Sequence, residues 1–300
     1  MGKHFSFIHC ADLHLGEPFR DIRMGSSGPW NEQIGKATFK AFEKVVDAAL
    51  ENRVDAILIS GDVYNGDHHS LSAQMAFARE LYRAAQGGIE IFMVHGNHDP
   101  GEAWRADIPL PETVHIFPAD QVTSIPLMKD GEKAATIYGI SYKTRHVKEN
   151  LAKEFHREKD DGFAIGMLHT DMGGADSPYA PCTADDLKAV GMDYWALGHV
   201  HTRKTVSTSP YIVYPGNTQG LSLREIRPRG CYVEDVGGYG TVTFKFIETD
   251  TIRWMDMTMD ISAYSQTEEL ISAVTKRRSG LKELTGRPNI IRLVCTGSGP

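Results

Sequence analysis

The chain has 300 residues, 41% hydrophobic and 24% charged, enough to bury a core without disulfide staples and too ordinary for a disordered or collagen-like chain. Its 32 Lys and Arg against 39 Asp and Glu leave a net charge of −7, which excludes holding a polyanion by bulk attraction. Any nucleic-acid role then needs local basic patches or bound metal. No apolar run approaches the roughly 20 residues of a membrane span, and the first ten residues lack the pattern of a signal peptide. The four cysteines (Cys10, Cys182, Cys231, Cys295) form no C-x-x-C pair. The expectation is a cytoplasmic chain with reduced thiols, no membrane association and no thiolate zinc site.

In chain order, residues 5–10 read as a strand, and 31–52 as a helix, with Ile34, Phe39, Phe42, Val45, Val46 and Ala49 at helical spacing. A strand at 56–60, a helix over 71–86 and a strand at 91–95 follow. Strand, helix, strand in this order implies crossover units and a sheet covered on both faces. Further strands are expected at 136–140, 164–169 and 194–197, with helices near 146–157 and 183–189. After Pro215-Gly216 the texture changes. Strands at 231–236 and 241–248 flank the hairpin turn Gly237-Gly238-Tyr239-Gly240. Then come a strand at 254–260, a helix opened by a capping box of Ser265 and Glu268 and running to Arg278, and a strand at 289–294. The expected class is α/β, central β-sheets flanked by helices over 1–229, with a small α+β appended domain over 230–300. Because Gly297-Ser298-Gly299-Pro300 closes the chain straight after a strand, that domain is expected to be incomplete.

Each strand of the first domain ends in metal-capable side chains. Residues 5–10 run into Asp12-Leu13-His14, 56–60 into Gly61-Asp62, and 91–95 into Gly96-Asn97-His98-Asp99. The strand at 164–169 ends in His169, and 194–197 leads into Gly198-His199-Val200-His201. The carboxyl ends of strands in an open α/β sheet converge on one crevice, so the five clusters are expected to share a site. Alternate residues of an extended segment face one side, and glycines allow close backbone approach. Singly, each cluster is a turn or a hydrogen-bonded pair; five in order predict a metal site. Carboxylate, amide and imidazole donors without cysteine suit Mn, Fe or Zn. Two divalent ions roughly 3.5–4 Å apart need a bridging carboxylate, for which Asp62 is the candidate, and would support phosphoester hydrolysis.

As a set, these motifs resemble the calcineurin-like metallophosphoesterase superfamily. The words Ile8-His9-Cys10-Ala11-Asp12-Leu13-His14, Leu58-Ile59-Ser60-Gly61-Asp62, Ala196-Leu197-Gly198-His199-Val200-His201 and Tyr214-Pro215-Gly216-Asn217 resemble its SbcD-type DNA-repair exonuclease branch, YhaO-like members especially. The resemblance covers about residues 5–236. It implies the layered metallophosphoesterase fold, with 1–229 as nuclease domain and 230–300 as a capping, DNA-positioning domain. It implies that Asp12, His14 and His201 hold one ion, that Asn97, His169 and His199 hold the other, and that Asp62 bridges them, Mn being the first choice of metal. His98 would face the scissile phosphate, and Asp99 would orient His98. One position departs: the family places Asp or His three residues after the bridging Asp, where this chain has Asn65, with His68 and His69 nearby.

The resemblance also implies DNA as substrate and an ABC-type, SbcC-like ATPase partner, reached through a C-terminal helical segment expected to be missing here; a homodimer is left open. A small phosphoester substrate, or a non-catalytic metal-containing subunit, are the competing readings. The Arg224, Arg227, Arg229 cluster and Lys276-Arg277-Arg278 either contact phosphates or form solvated faces. Trp30 and Trp104 either stack on a base or pin their loops. Met1-Gly2-x-x-x-Ser6 fits a myristoylation pattern, against which stands the need for 5–10 as a strand.

Overall fold

The computed structural model describes residues 2–22, 28–68, 70–103, 105–159, 161–174 and 176–299. His69, Trp104, Met1 and Pro300 lie outside the described residues. The first stretch alternates β1 (Phe5–Cys10), α1 (Pro29–Gly35), α2 (Ala37–Asn52), β2 (Ala56–Ser60), α3 (Leu71–Gln86), β3 (Glu90–Val94) and β4 (Val114–Ile116). The next holds β5 (Thr123–Lys129), β6 (Glu132–Gly139), β7 (Phe163–His169), α4 (Ala184–Val190), β8 (Tyr194–Gly198), β9 (Lys204–Thr208) and β10 (Tyr211–Tyr214). The chain continues through β11 (Gly230–Val236), β12 (Val242–Glu248), β13 (Arg253–Asp260), α5 (Thr267–Thr285) and β14 (Asn289–Thr296).

Two six-stranded sheets carry the molecule, in keeping with the expected class of central β-sheets flanked by helices. The first has the order β12-β11-β1-β2-β3-β4, the second β5-β6-β7-β8-β10-β9. Strands β1 to β4 run parallel, as do β6, β7, β8 and β10, so both sheets point their carboxyl ends the same way as the crossover connections demand. The period-two alternation of β1 shows how the layers form. Phe5 and Phe7 face the second sheet, packing with Leu58 and Phe92 against Ile137, Ile165 and Met167. Ile8 and Cys10 face the other way, onto Phe42, Val45 and Val46 of α2 and Leu81 of α3. A third cluster, with Trp195, Leu187 and Phe155, covers the outer face of the second sheet.

Four differences from the sequence expectations have local causes. The pattern at 31–52 breaks into α1 and α2 around Gly35, a weak helix former, and Ile34 and Ala37 instead meet Trp254 and Ile252. The helix expected at 146–157 is only a 3₁₀ turn, Leu151–Glu154, because the Asn150 side chain takes the Ala152 N–H at 3.1 Å. The Ser265 capping box does not form: Ser265 bonds Glu269 through N–H and Oγ, and α5 starts from Gln266 with no side-chain cap.

The fourth concerns the domain boundary expected between 229 and 230. The β11–β12 hairpin joins the first sheet, with Phe5 opposite Val236 and His9 opposite Tyr232, because it satisfies the edge of β1 that β2 leaves unpaired. The small unit outside both sheets is therefore β13–α5–β14. Its two strands pair in parallel from Arg253 opposite Asn289 to Asp260 opposite Thr296. Among the described residues no helix is long and apolar enough to cross a membrane.

Candidate metal centre

The carboxyl ends of β1, β2, β3, β7 and β8 meet where the two sheets touch. The approach is close enough that glycine is required: a Cβ on Gly198 would lie 1.8 Å from the Ser60 carbonyl oxygen, and one on Gly96 2.3 Å from Asp62 Oδ1. The ligand candidates themselves sit on unusual backbone. Asp12 (φ 53°), His14 (45°), Asp62 (53°) and His199 (96°) all adopt left-handed values. Such conformations cost about 1–3 kcal/mol each in non-glycine residues and persist only where the surroundings hold them.

All seven expected ligands are brought together. Asp12, His14 and His201 present donor atoms within 4.8 Å of one another, and so do Asp12, Asp62 and His169. His14 Nε2 and His201 Nε2 are 3.0 Å apart. Asn97 Oδ1 stands 3.0 Å from both His169 Nε2 and His199 Nδ1. Asp62 Oδ2 is 3.9 Å from His14 Nε2 and 3.4 Å from His169 Nε2, between the two histidine sets. Asp12 belongs to both three-donor groups, so two carboxylates lie centrally.

The donor chemistry fits cations at both places. His169 Nδ1 hydrogen-bonds the Ser60 carbonyl at 2.9 Å, so in the neutral ring the Nε2 lone pair points at Asn97 Oδ1 and Asp62 Oδ2. Acceptors facing one point need a proton or a metal ion between them. Without metal a proton serves: burial opposes the charged ring, yet Asp62 outweighs it and pushes His169 up to about 9. In the other set, burial drives His14 down to about 3, leaving it neutral, and its buried Nδ1 has no hydrogen-bond partner. Burial also pushes Asp12 up to about 6. Asp62 is buried too, yet His169 and His14 hold it far below the ordinary carboxylate range.

His98 belongs to neither three-donor group. Its backbone N–H donates to Asp62 Oδ1 at 2.8 Å, its ring lies edge-on to His14 at 5.0 Å, and its buried Nδ1 has no partner. It lines a cavity of about 200 Å³ together with Asp67, Asn97, Thr144 and Arg145. The expectation that Asp99 orients His98 is corrected. Asp99 Oδ1 accepts the N–H groups of Asp62 and Gly96 at 3.2 and 2.8 Å, Oδ2 accepts that of Val63 at 3.0 Å, and the ring beside it is His95, 3.5 Å away.

Other expectations divide. Asn65 accepts the Asp67 N–H at 3.1 Å within a 3₁₀ turn, and His68 pairs with Glu17 at 2.9 Å. Arg224 and Arg227 are exposed, as are Lys276, Arg277 and Arg278 on α5. Arg229 is buried, with Nη1 on Asn217 Oδ1 at 3.1 Å and Nε on the Glu225 carbonyl at 3.2 Å, so it is not part of a surface patch. Trp30 is half-exposed on α1. All four cysteines are free thiols. Sequence reasoning missed Glu225, whose carboxylate meets His201 Nδ1 at 2.5 Å, and Tyr179, whose ring packs on His199 at 4.8 Å. Both lie away from the strand ends that the motif spacing singles out.

Comparison with known proteins matches residues 5–203 to the calcineurin-like phosphoesterase family. The chain is 37% identical over 299 residues to the metallophosphoesterase YhaO of Bacillus subtilis (strain 168), covering 98% of this chain and 72% of that protein. It is 28% identical over 201 residues to the DNA double-strand break repair protein Mre11 of Sulfurisphaera tokodaii, covering 66% of this chain and about half, 49%, of that relative. Against the Mre11 protein of Thermoplasma acidophilum it is 26% identical over 287 residues, covering 92% of this chain and 72% of the other. The match spans the strands that carry all seven convergent ligand candidates, and the chain belongs to the calcineurin-like phosphoesterase family of metal-dependent phosphoester hydrolases.

Proposed function

We propose that this chain is a two-metal phosphodiesterase that cleaves DNA. The observation that carries the reading is the convergence of Asp12, His14, Asp62, Asn97, His169, His199 and His201 at one rim, five of them in two groups of donor atoms and Asn97 and His199 beside His169, with His98 outside both groups. Divalent ions held there, Mn first among them, would supply Lewis acidity to phosphoester oxygens and lower the pKa of water. The protein's part would be to hold the ions with these side chains, Asp62 serving both, and to offer His98 from the wall of the adjoining cavity. From there the imidazole would donate a proton to the leaving oxygen or stabilise its charge.

DNA is favoured over a small phosphoester by the Mre11 relatives, named for double-strand break repair, and by the exposed Arg224 and Arg227. The intact ligand set speaks against a non-catalytic subunit. An ABC-type ATPase partner belongs to the same reading and is tested by pull-down with an SbcC-like ATPase. The deciding assay is a Mn-supplemented digestion of single-stranded, duplex and nicked DNA, run beside a chromogenic phosphodiester. Cleavage of DNA supports the reading; turnover of the chromogenic diester with all three DNAs intact would replace it with the small-substrate reading.

A further inference from the structure

We infer that Glu225 is a positioning residue for the metal centre: it holds His201 through Nδ1 so that Nε2 presents its lone pair to the ion shared with Asp12 and His14. The inference rests on the two-ion reading above. Each histidine set solves the same problem differently. A ligating imidazole must carry its proton on the ring nitrogen facing away from the metal, and the group that accepts that proton fixes both tautomer and ring rotation. For His169 the acceptor is backbone, the Ser60 carbonyl at 2.9 Å, and the ring is fully buried between the sheets. His201 has neither advantage. It lies beyond β8 in a loop, its side chain is 27% exposed, and its ring is served by a carboxylate in place of a backbone carbonyl.

Glu225 supplies what is missing. Oε1 meets His201 Nδ1 at 2.5 Å, while Oε2 accepts the Leu221 N–H at 2.5 Å, so the carboxylate is pinned at both oxygens. The segment carrying it is anchored in turn. Arg229 Nε donates to the Glu225 carbonyl, and Arg229 Nη1 donates to the His201 carbonyl and to Asn217 Oδ1. One guanidinium thus ties together the backbone of ligand and positioner. The Arg229 N–H bonds Asp250 Oδ1 at 3.3 Å, and Asp250 is gripped by Arg253 and Arg287 at 2.8 and 2.7 Å. A carboxylate on Nδ1 also makes the opposite nitrogen a stronger ligand than a neutral acceptor would, which gives an anionic residue here a purpose beyond packing.

The test uses the full chain and reads metal rather than turnover. Glu225→Ala and Glu225→Gln are compared with wild type by Mn titration calorimetry, by electron paramagnetic resonance of the Mn-loaded proteins, and by thermal unfolding without metal. Glu225→Ala is expected to weaken one of two ions by about 10- to 100-fold, the range for removing a group that orients a metal ligand. The second ion should be held within about twofold, and the spin-coupled Mn spectrum should give way to a single-ion six-line signal. Glu225→Gln, which keeps an acceptor but loses the charge, should fall between. Equal losses of both ions accompanied by a lower metal-free unfolding temperature would assign Glu225 a merely structural role and overturn the inference, as would unchanged affinity for both ions. If wild type itself binds fewer than two ions, it is the two-ion reading that fails.

Discussion

Beneath the metal centre, between the two sheets, runs a line of buried polar groups whose protonation can be deduced and tested. The Glu234 carboxyl and the Tyr194 hydroxyl share a hydrogen bond of 2.6 Å, the Tyr194 oxygen is 3.0 Å from His9 Nδ1, and His9 Nε2 is 3.2 Å from the Leu197 carbonyl. Burial drives His9 down to about 3, so the ring is neutral and has one N–H. A carbonyl only accepts, so that N–H sits on Nε2 and Nδ1 is left as an acceptor; the Tyr194 hydroxyl then has one proton for two acceptors, Nδ1 and Glu234 Oε1, a shortage that a proton on Glu234 relieves. Burial agrees, pushing Glu234 from 4.5 up to about 8.

Because the folded pKa lies above the unfolded one, folding takes up a proton, and the contribution to stability falls as pH rises from about 4.5 through about 8. At about 1.36 kcal/mol per pH unit, this penalty grows by about 4 kcal/mol between about pH 5 and pH 9. Glu234→Gln removes it. The amide can donate to Tyr194 from the place of Oε1, but its second N–H is then buried without an acceptor, a cost of about 1–3 kcal/mol that does not vary with pH. The variant should therefore be less stable than wild type near pH 5 and more stable near pH 9, measured by urea unfolding at both. A difference between the two proteins that stays flat with pH would refute the protonation scheme.

Other outcomes follow from the site. Asp62→Asn should lower occupancy of both ions, because its carboxylate lies between the two histidine sets; elemental analysis finding two ions per chain would show that Asp12 alone does the bridging. His98→Ala should retain both ions and DNA affinity while losing about 10²-fold or more in cleavage rate, and a metal-free variant would place His98 among the ligands. Arg224→Ala with Arg227→Ala should leave unfolding unchanged and flatten the dependence of log DNA affinity on log salt by about 0.9 for each phosphate no longer neutralised, with an unaltered slope removing them from any DNA surface. Arg229→Ala should destabilise by about 1–3 kcal/mol for each buried acceptor it leaves without a donor, among them the Glu225 carbonyl and Asn217 Oδ1, and a total loss below about 1 kcal/mol would contradict its burial.

How much of this is legible in the sequence depends on the range of the interaction. Strand ends and the side chains just beyond them follow from local hydrophobic pattern, so Asp12, Asp62, Asn97 and His199 fall on one rim from spacing alone. The split into two sheets does not. Phe5 and Ile8 are both apolar, and nothing local says that one faces a second sheet and the other a pair of helices. The β11–β12 hairpin reads as the start of something new because hairpins differ in texture from crossover units. Its destination is decided by the free edge of β1, more than 200 residues earlier in the chain. Glu225 and Arg229 are hidden for the same reason: in sequence they belong to an Arg-rich surface stretch, and only the fold turns them inward onto His201.

Asp99 shows where a motif is readable and its role is not. Its place after Asn97 and His98 suggests a carboxylate serving the neighbouring ring. Yet three N–H groups, from Asp62, Val63 and Gly96, have left their strands where β2 and β3 end and need acceptors in a buried place. One carboxylate beside them satisfies all three, and in doing so clamps the two loops that carry Asp62 and Asn97. It also explains how Asp62 keeps a left-handed backbone at φ 53°. The conformation that turns its carboxylate toward both histidine sets is held by its own N–H on Asp99 Oδ1 and by the next residue's on Oδ2. Asp99 therefore acts on the candidate metal centre through the backbone of Asp62, the carboxylate between the two histidine sets, and not through His98.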